Sequence, residues 1–368
     1  MKNALVILDH AILYDRPFVS YLSREIAAHV GEIETVHFVS KRDDDVVKVL
    51  EEVIAQHRHL FVVTAEAFSF AGKLIATICH DGLVLKEKDM LVPFKAEKVT
   101  GNSYLIHHGS TAINVLKVDP VQKLPQILID APGEELGLFL FDDALQADLE
   151  RDARELELGF EKVRMTEGLW HYRIRGLASA LKHFLRRVDE RYRENVLVGK
   201  DFAEVVCRRL MEEGATVTAA ESCTGGLLAS EIVRHSGVSS IFEGSEVTYS
   251  NEMKQKLIGV KSSTLRRYGA VSQECVQEML GGVIEKFGAD FAMAISGVAG
   301  PGGGTRQKPV GTVYVGAKCR GKEMIVKRLS LKGDRTYIRE MSVLWAFRLL
   351  VETNRALFFK KIPKTLDK

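Results

Sequence analysis

Paired cysteines are the first feature that the sequence lacks. Its five cysteines are odd in number and scattered, and none forms a C-x-x-C pair; they are Cys79, Cys207, Cys223, Cys275 and Cys319. This pattern argues against a disulfide framework and against a cysteine zinc site, and it favours a reducing compartment.

Long apolar runs and a charge imbalance are also missing. The N-terminal apolar run is interrupted by Asp9 and His10, so it is too short for a secretory signal. No apolar segment approaches the roughly 20 residues that span a bilayer. The formal net charge is only +2. A charge this small does not indicate binding to nucleic acid or to an anionic membrane. We therefore expect a cytoplasmic protein that binds neither membrane nor nucleic acid.

The hydrophobic pattern predicts an α/β protein. At 368 residues the chain is long enough for two or three domains. Short apolar runs such as "HLFVVTA" alternate with segments of helical periodicity over residues 1–150, and a second such pattern occupies 197–368. We expect two three-layer α/β domains there, the second with a mixed sheet, joined by a small helical and charged connector at 151–196. Near the end of the first domain, "PQILIDAPGEELGLFL" predicts a strand, a turn and the start of an apolar helix.

Polar or glycine-rich turns follow three predicted strands of the second domain. They are "ESCTGG" after "ATVTAA", "YSNEMK" after "SEVT", and "SGVAGPGGGT" after "DFAMAI". Ligands in open α/β sheets bind beyond the carboxyl ends of the strands. If the three strands are parallel, the turns meet at one edge and Ser222 can approach Lys254, since one βαβ step spans about 30 residues.

The residue types at this edge favour a metal-free Ser-Lys hydrolase without a cofactor. A serine hydroxyl needs a neighbouring base, and His235 lies within a helix end, so a Ser-His-Asp triad is not available. A desolvated lysine near a helix N-terminus can be neutral and serve instead. The N–H groups of the turn would then stabilise a tetrahedral oxyanion; they belong to Cys223, Thr224, Gly225 and Gly226.

Each element also has a purely structural interpretation. Ser222 or Thr224 can act as a helix N-cap, Lys254 as a solvated lysine, and "AGPGGGT" as a flexible loop. Cys223 is a rival nucleophile, and Glu221 would either orient Lys254 or cap the strand. The loop lacks the ending of a P-loop, and no G-x-G-x-x-G opens a helix, so kinase-like and Rossmann sites are disfavoured. The conjunction of three turns carries the hypothesis.

Five segments within residues 197–355 resemble the C-terminal domain of the competence-damage-inducible protein family, CinA. They are "AESCTGGLLAS", "FEGSEVTYSNEMKQKLIGV", "GAVSQECVQEM", "AISGVAGPGGGTRQKPVGTVYV" and "KGDRTYIRE". The resemblance implies a nicotinamide mononucleotide deamidase, which releases ammonia from the nicotinamide carboxamide and recycles pyridine nucleotides. The serine and lysine of the family fall on Ser222 and Lys254.

The resemblance also implies roles for the other motif positions. Thr224 and Gly225 would supply oxyanion donors, and Arg339 would contact a phosphate or another subunit. The remaining positions would bind a pyridine nucleotide substrate; they are Glu221, Cys223, Gly226, Thr248, Tyr249, Asn251, Ser296, Gly297, Gly300, Gly302, Gly303 and Arg335. We also expect a homodimer or a larger homo-oligomer.

The N-terminal half resembles a divergent molybdopterin-binding-like domain, a type associated in this family with ADP-ribose pyrophosphatase activity. Where that type has a T-G-G-x-G-P-T loop, this sequence reads "VVTAEAFSF", with Ala65 and Glu66 in place of two glycines. Glu66 brings a negative charge to a place where a phosphate needs open backbone N–H groups. We therefore predict that this half has lost pyrophosphatase activity and serves in oligomerisation or regulation.

Two other classes of function remain open at this point. The chain could be a nucleotide-binding sensor or a competence-related interaction protein without turnover, which the degenerate first half would favour. It could also be a metal-dependent phosphohydrolase seated in the N-terminal domain. The only suggestive carboxylates for that role are Asp9, Glu66, Asp130 and Glu134.

Overall fold

The computed structural model describes residues 3–40, 45–86, 90–129 and 134–362. The chain divides into two compact units, Met1–Pro132 and Gly133–Lys368. Among the described residues, no helix combines the length and the apolar character needed to cross a membrane.

The first unit is a three-layer α/β domain. Its helices are α1 (His10–Tyr14), α2 (Arg16–Val30), α3 (Val46–Gln56) and α4 (Phe68–Ile78). Its strands are β1 (Asn3–Ile7), β2 (Thr35–Phe38), β3 (His59–Thr64), β4 (Leu83–Lys86), β5 (Met90–Pro93), β6 (Lys98–Thr100), β7 (Ser103–His108) and β8 (Thr111–Lys117). The main sheet has the order β2-β1-β3-β8-β7-β6, and β4 pairs with β5 alone. β1, β2, β3 and β8 run parallel, while β6 and β7 are antiparallel to their neighbours.

Alternate residues of the central strands supply two cores, one on each face of this sheet. Leu5 and Ile7 pack with the apolar stripe of α2, whereas Val6 and Val62 pack with α3 and α4. β1 and β3 are buried on both faces, which explains their continuous apolar sequences. The predicted three-layer α/β architecture is confirmed for this unit.

The second unit begins with a small α+β element rather than a helical connector. It contains β9 (Glu134–Leu140), α5 (Gln146–Glu155), β10 (Gly159–Thr166), β11 (Leu169–Gly176), α6 (Ala178–Arg191) and β12 (Val196–Val198). The strands form an antiparallel sheet in the order β10-β11-β9-β12. The prediction of a helical connector therefore missed the strands of this region. The segments "GFEKVRMT" and "LWHYRIRG" form a β-hairpin, which their charged composition conceals.

β9 also corrects the predicted boundary at residue 150 and the predicted helix in "EELGLFL". This segment is a strand whose hydrogen-bonded neighbours are β11 and β12, so it belongs with the second unit. Leu138 and Leu140 face the helices α5 and α6, while Phe139 packs on Phe202 in the opposite core. Burial on both faces gives a short continuous apolar run, which periodicity alone does not distinguish from a buried helix.

The remainder of the second unit is a three-layer domain with a mixed sheet, as predicted. Its helices are α7 (Phe202–Glu212), α8 (Leu227–Val233), α9 (Asn251–Ile258), α10 (Ser262–Tyr268), α11 (Gln273–Phe287), α12 (Arg335–Thr353) and α13 (Arg355–Phe358). Its strands are β13 (Val217–Glu221), β14 (Ser245–Val247), β15 (Phe291–Gly297), β16 (Thr312–Cys319) and β17 (Ile325–Ser330), in the order β14-β13-β15-β16-β17. α7, α8 and α12 share a core with one face, and α11 packs on the other.

Candidate active site

Strand β13 runs parallel to both of its neighbours, β14 and β15. Glu221, its last residue, is in register with Val247 of β14 and with Ile295 of β15. The turns that follow these three strands therefore open at the same edge of the sheet. The antiparallel pairing of β15, β16 and β17 makes the sheet mixed but leaves this edge intact.

Ser222 and Lys254 meet at this edge. Lys254 Nζ lies 2.9 Å from Ser222 Oγ and donates to the carbonyl of Thr248 at 2.6 Å. Ser222 is fixed because its N–H donates to Ile295 O at 3.0 Å, which continues the sheet by one residue. Lys254 lies in the first turn of α9, which Ser250 caps by accepting from Met253 N. The two side chains, remote in sequence, are thus held in direct contact.

Lys254 is a buried amine that is not paired with a carboxylate of any described residue. Its side chain is among the largest that are fully buried, at 1% exposure. Burial lowers the pKa of Lys254 from its ordinary value, because the ammonium form has lost its water. The neighbouring thiols of Cys275 and Cys223 do not offset this, since burial raises the pKa of both to about 11 and leaves them neutral near pH 7.

A neutral lysine at this position has the hydrogen-bonding capacity of a general base. An uncharged amine has two N–H donors and one lone pair. With one N–H directed to the Thr248 carbonyl, the lone pair can accept the hydroxyl proton of Ser222. The pair therefore meets the geometric requirement for an activated nucleophile, which is a base within hydrogen-bond reach of the hydroxyl.

Glu221 caps a helix instead of facing a ligand. Its fully buried carboxylate accepts from the backbone N–H groups of Gly226, Leu228 and Ala229 at 2.9 to 3.0 Å. These are donors at the start of α8 that no preceding helical turn can satisfy. This contact differs from all three roles predicted for Glu221, which were capping of the strand, orientation of Lys254 and substrate binding.

The turn also changes the predicted set of oxyanion donors. Gly225 N–H donates to Ser222 O at 3.2 Å, and Gly226 N–H is held by Glu221. Within the described part of the chain, the N–H groups of Cys223 and Thr224 have no hydrogen-bond partner on another residue, although the Cys223 thiol accepts from its own N–H. The N–H groups that remain without a partner on another described residue are therefore those of Cys223, which lines the cleft, and Thr224, which is buried behind it, and the prediction for Gly225 and Gly226 is corrected.

A cleft of about 270 Å³ opens beside the dyad. Ser222, Lys254 and Cys223 form one wall. The predicted ligand-binding residues that also line the cleft are Tyr249, Ser296, Gly297, Gly300, Gly302, Gly303 and Arg335. Ala270, Val271, Val298 and Ala299 line it as well. No role was predicted for these four, although "GAVSQE" and "SGVAGP" contain them.

The polar groups of the cleft are held by specific contacts. Arg335 donates to the carbonyl of Gly300 at 2.7 Å and to the hydroxyl of Tyr249 at 3.4 Å. Ser296 donates its hydroxyl to Ala270 O at 2.8 Å, so its side chain ties the loop before α11 to β15. Arg335 and Lys254 are the only basic side chains that line this cleft in the described structure.

Several predicted ligand-binding residues do not line the cleft. Thr248 is fully buried and acts through its carbonyl on Lys254, while its hydroxyl donates to Glu221 O. Asn251 is an exposed residue at the start of α9. Thr224 is also fully buried, and its carbonyl accepts from the guanidinium of Arg339. That contact occupies the Arg339 group that was predicted to bind a phosphate or another subunit.

One group of side chains has the composition of a metal site. Ligand atoms of Asp201, Glu231 and His235 lie within 4.8 Å of one another. Arg234 donates to both carboxylates, so the group already contains a positive charge between its two acids.

The loop after β3 is hydrogen-bonded to a carboxylate from another part of the same chain. Asp9 accepts from the Thr64 hydroxyl at 2.5 Å and from the N–H groups of Ala65 at 2.5 Å and Glu66 at 3.1 Å. Burial by itself raises the pKa of Asp9, but these hydrogen bonds outweigh it and hold that pKa below its ordinary value. The N–H groups that an anion would need are therefore occupied. Of the other suggested carboxylates, Asp130 and the side chain of Glu134 lie outside the described residues.

Comparison with known proteins places the second unit in a family. Residues 199–354 match the family model of the CinA C-terminal domain. A CinA-like protein of Thermosipho melanesiensis is 41% identical over 181 residues, which are 48% of this chain and 45% of the relative. A CinA-like protein of Thermotoga neapolitana is 39% identical over 222 residues, or 58% of this chain and 54% of the relative. The chain thus spans about half the length of these relatives.

A crystal structure of a CinA superfamily protein from Klebsiella pneumoniae is 37% identical, covers 42% of this chain and 96% of its own, and has a TM-score of 0.40. The matched residues 199–354 include Ser222, Lys254 and the whole lining of the cleft. Through this domain, the chain belongs to the CinA family.

Proposed function

We propose that this protein hydrolyses the carboxamide of nicotinamide mononucleotide to nicotinic acid mononucleotide and ammonia. The observation that carries the proposal is the buried Lys254 amine, which lies 2.9 Å from the Ser222 hydroxyl and is not paired with a carboxylate of the described residues. Such a pair suits amide hydrolysis, because serine attack on an amide needs a base that later protonates the leaving nitrogen.

The reaction divides into two balanced halves. Ser222 Oγ attacks the carboxamide carbon while its proton passes to Lys254 Nζ, and the N–H groups of Cys223 and Thr224 stabilise the oxyanion. Lys254 then protonates the amide nitrogen, the C–N bond breaks, and ammonia leaves an acyl ester on Ser222. A water molecule gives its proton to Lys254 and attacks the ester, and the acid is released as the proton returns to Ser222.

The cleft provides complementary groups for the rest of this substrate. Tyr249 presents an exposed aromatic ring near the mouth, and Arg335 brings a positive charge to the loop of Gly300. A guanidinium and open backbone N–H groups are suited to a phosphate. The glycine-rich loop from Gly300 to Gly303 would therefore receive the 5′-phosphate, and the pyridine ring would lie towards Ser222.

The test is ammonia release from nicotinamide mononucleotide, nicotinamide riboside, free nicotinamide and NAD by the full-length protein. We expect release from the mononucleotide, with Ser222→Ala inactive while its circular dichroism spectrum and melting temperature are retained. Lys256→Gln, an exposed residue of the same helix α9, is the matched control and should keep wild-type turnover. Calorimetric binding of the mononucleotide without ammonia release would instead favour a nucleotide sensor.

A further inference from the structure

The turn that carries Ser222 accepts a hydrogen bond from a cationic side chain of another helix. Arg339 lies in the second turn of α12 and directs its guanidinium to the carbonyl of Thr224, with Nε at 3.2 Å and Nη2 closer. The same carbonyl also accepts from Leu227 N at 3.2 Å. Thr224 is fully buried, so this contact cannot be replaced freely by water.

The turn has a conformation that needs such support. Gly225 and Gly226 have φ values of +57° and +95°, in the left-handed region, and a Cβ at either position would meet no atom within 4 Å. Their requirement is therefore conformational and not steric. Glycine is the residue that loses most conformational freedom on folding, so a turn with two consecutive glycines is intrinsically mobile unless its polar groups are tied.

Two charged side chains supply those ties. Glu221 accepts from N–H groups at the C-terminal side of the turn, and Arg339 donates to the Thr224 carbonyl. With Gly225 N–H bound to Ser222 O, the N–H groups of Cys223 and Thr224 are left over. Among the described residues, these two N–H groups of the turn that carries the nucleophile are not bound by another residue.

We propose that Arg339 is a positioning residue for the nucleophile and the oxyanion donors, and not a ligand for the phosphate of the substrate. The inference rests on the proposed Ser-Lys amidase. Arg335, one helical turn earlier, lines the cleft, whereas Arg339 does not. The two arginines of α12 thus have separate tasks: Arg335 faces the ligand, and Arg339 holds the protein's own backbone.

The two tasks predict different kinetics. Loss of a phosphate contact raises KM, while a misplaced turn lowers kcat, since donors displaced by about 1 Å cost roughly 100-fold in rate. Arg339→Gln should therefore lower kcat by about 100-fold with little change in KM, and Arg339→Lys should recover part of the loss. Arg335→Gln should mainly raise KM. Arg209→Gln, which removes an arginine paired with Glu212 on α7, serves as the control and should leave both constants unchanged.

A phosphate-free probe makes the test independent of the substrate. A fluorophosphonate labels activated serines through an intermediate whose oxygen needs the same N–H donors. The rate of labelling of Ser222, followed by intact mass, should fall about 100-fold in Arg339→Gln but not in the control Arg209→Gln, while melting temperatures confirm that each variant is folded. Labelling of Arg339→Gln at the wild-type rate would overturn the inference, as would failure of the wild type to be labelled. If labelling behaves as expected but nicotinamide mononucleotide is not hydrolysed, the proposed substrate fails and the positioning role stands.

Discussion

At the scale of single residues, the site depends on the protonation state of Lys254. A fully buried ammonium is costly because it has lost its water, so burial favours the neutral amine and lowers the pKa of Lys254. Glu221, the carboxylate adjacent to Ser222 in sequence, is directed to the N–H groups of α8 and does not accept a hydrogen bond from Lys254. The helix cap thereby keeps a negative charge away from the base.

The pH dependence of the rate follows from this lowered pKa. Lys254 accepts the Ser222 proton only when it is unprotonated, so kcat/KM should rise with pH through the pKa of Lys254 and level off above it. A profile of kcat/KM from pH 5 to 9 measures this. A rate that falls across the range, or that is flat, would contradict a lysine base.

The same pKa should appear in the stability of the protein. The pKa of Lys254 is lowered in the folded state and close to 10.4 in the unfolded chain. Between these values the unfolded state binds more protons, so the free energy of unfolding rises with pH. Below the folded-state pKa the full penalty of about 1.4 kcal/mol per unit of pKa shift applies.

Lys254→Met removes this penalty at all pH values. The free energy of unfolding of this variant minus that of the wild type should therefore decline as the pH rises towards 10.4. Urea denaturation at intervals from pH 7 to 10 measures this difference. Lys256→Met, at an exposed position of the same helix, should show a difference that does not vary with pH. A constant difference for Lys254→Met would mean that the buried amine has an ordinary pKa.

At the scale of elements, the site depends on the backbone conformation of the turn between β13 and α8. Gly226→Ala forces a residue with a Cβ to adopt a φ of +95°, which costs about 1–2 kcal/mol of stability. It should also lower kcat, because the neighbouring N–H groups move with the turn. Chemical denaturation and ammonia release measure the two effects.

Gly281→Ala is the matched control for that substitution. Gly281 lies inside α11 with no atom within 4 Å of an added Cβ and without a positive φ. Alanine there should stabilise the protein by up to about 1 kcal/mol, as expected for a helix interior, and leave turnover unchanged. Equal effects of the two substitutions would show that the conformation of the turn is not special.

The sequence predicts the meeting of Ser222 and Lys254 but not the contacts around them. Three strand-like runs followed by polar turns imply one sheet edge when the strands are parallel, and β13, β14 and β15 are parallel. The directions of the Glu221 and Arg339 side chains depend on which backbone groups lack partners, and that is decided only when α8 and α12 pack. Spacing therefore locates the dyad, whereas the capping role of Glu221 and the loss of Gly225 as a donor emerge from the fold.

Other elements show the same limit. The strand β9 was predicted as a helix start because a short run buried on both faces has no periodicity to identify it. The hairpin of β10 and β11 was hidden by its charges, since many of its side chains form ion pairs on an exposed surface, such as Arg173 with Glu161.

At the scale of the whole molecule, the two units differ in the polar groups that they offer to a ligand. The first unit places the Asp9 carboxylate on the N–H groups of Ala65 and Glu66, and an incoming phosphate would meet a like charge there. We therefore expect the full-length Ser222→Ala variant, which isolates the first unit chemically, to release no AMP from ADP-ribose with magnesium. Chromatographic detection of AMP above a protein-free control would refute this.

The central claim is that Ser222 and Lys254 act as one catalytic unit on nicotinamide mononucleotide. The most direct measurement compares ammonia release by wild type, Ser222→Ala, Lys254→Met and the double variant. Residues that act together lose their rate advantage when either is removed. We expect a loss of at least about 1,000-fold in each single variant and no further loss in the double variant. Losses that multiply in the double variant, or a Ser222→Ala protein that keeps its turnover, would contradict it.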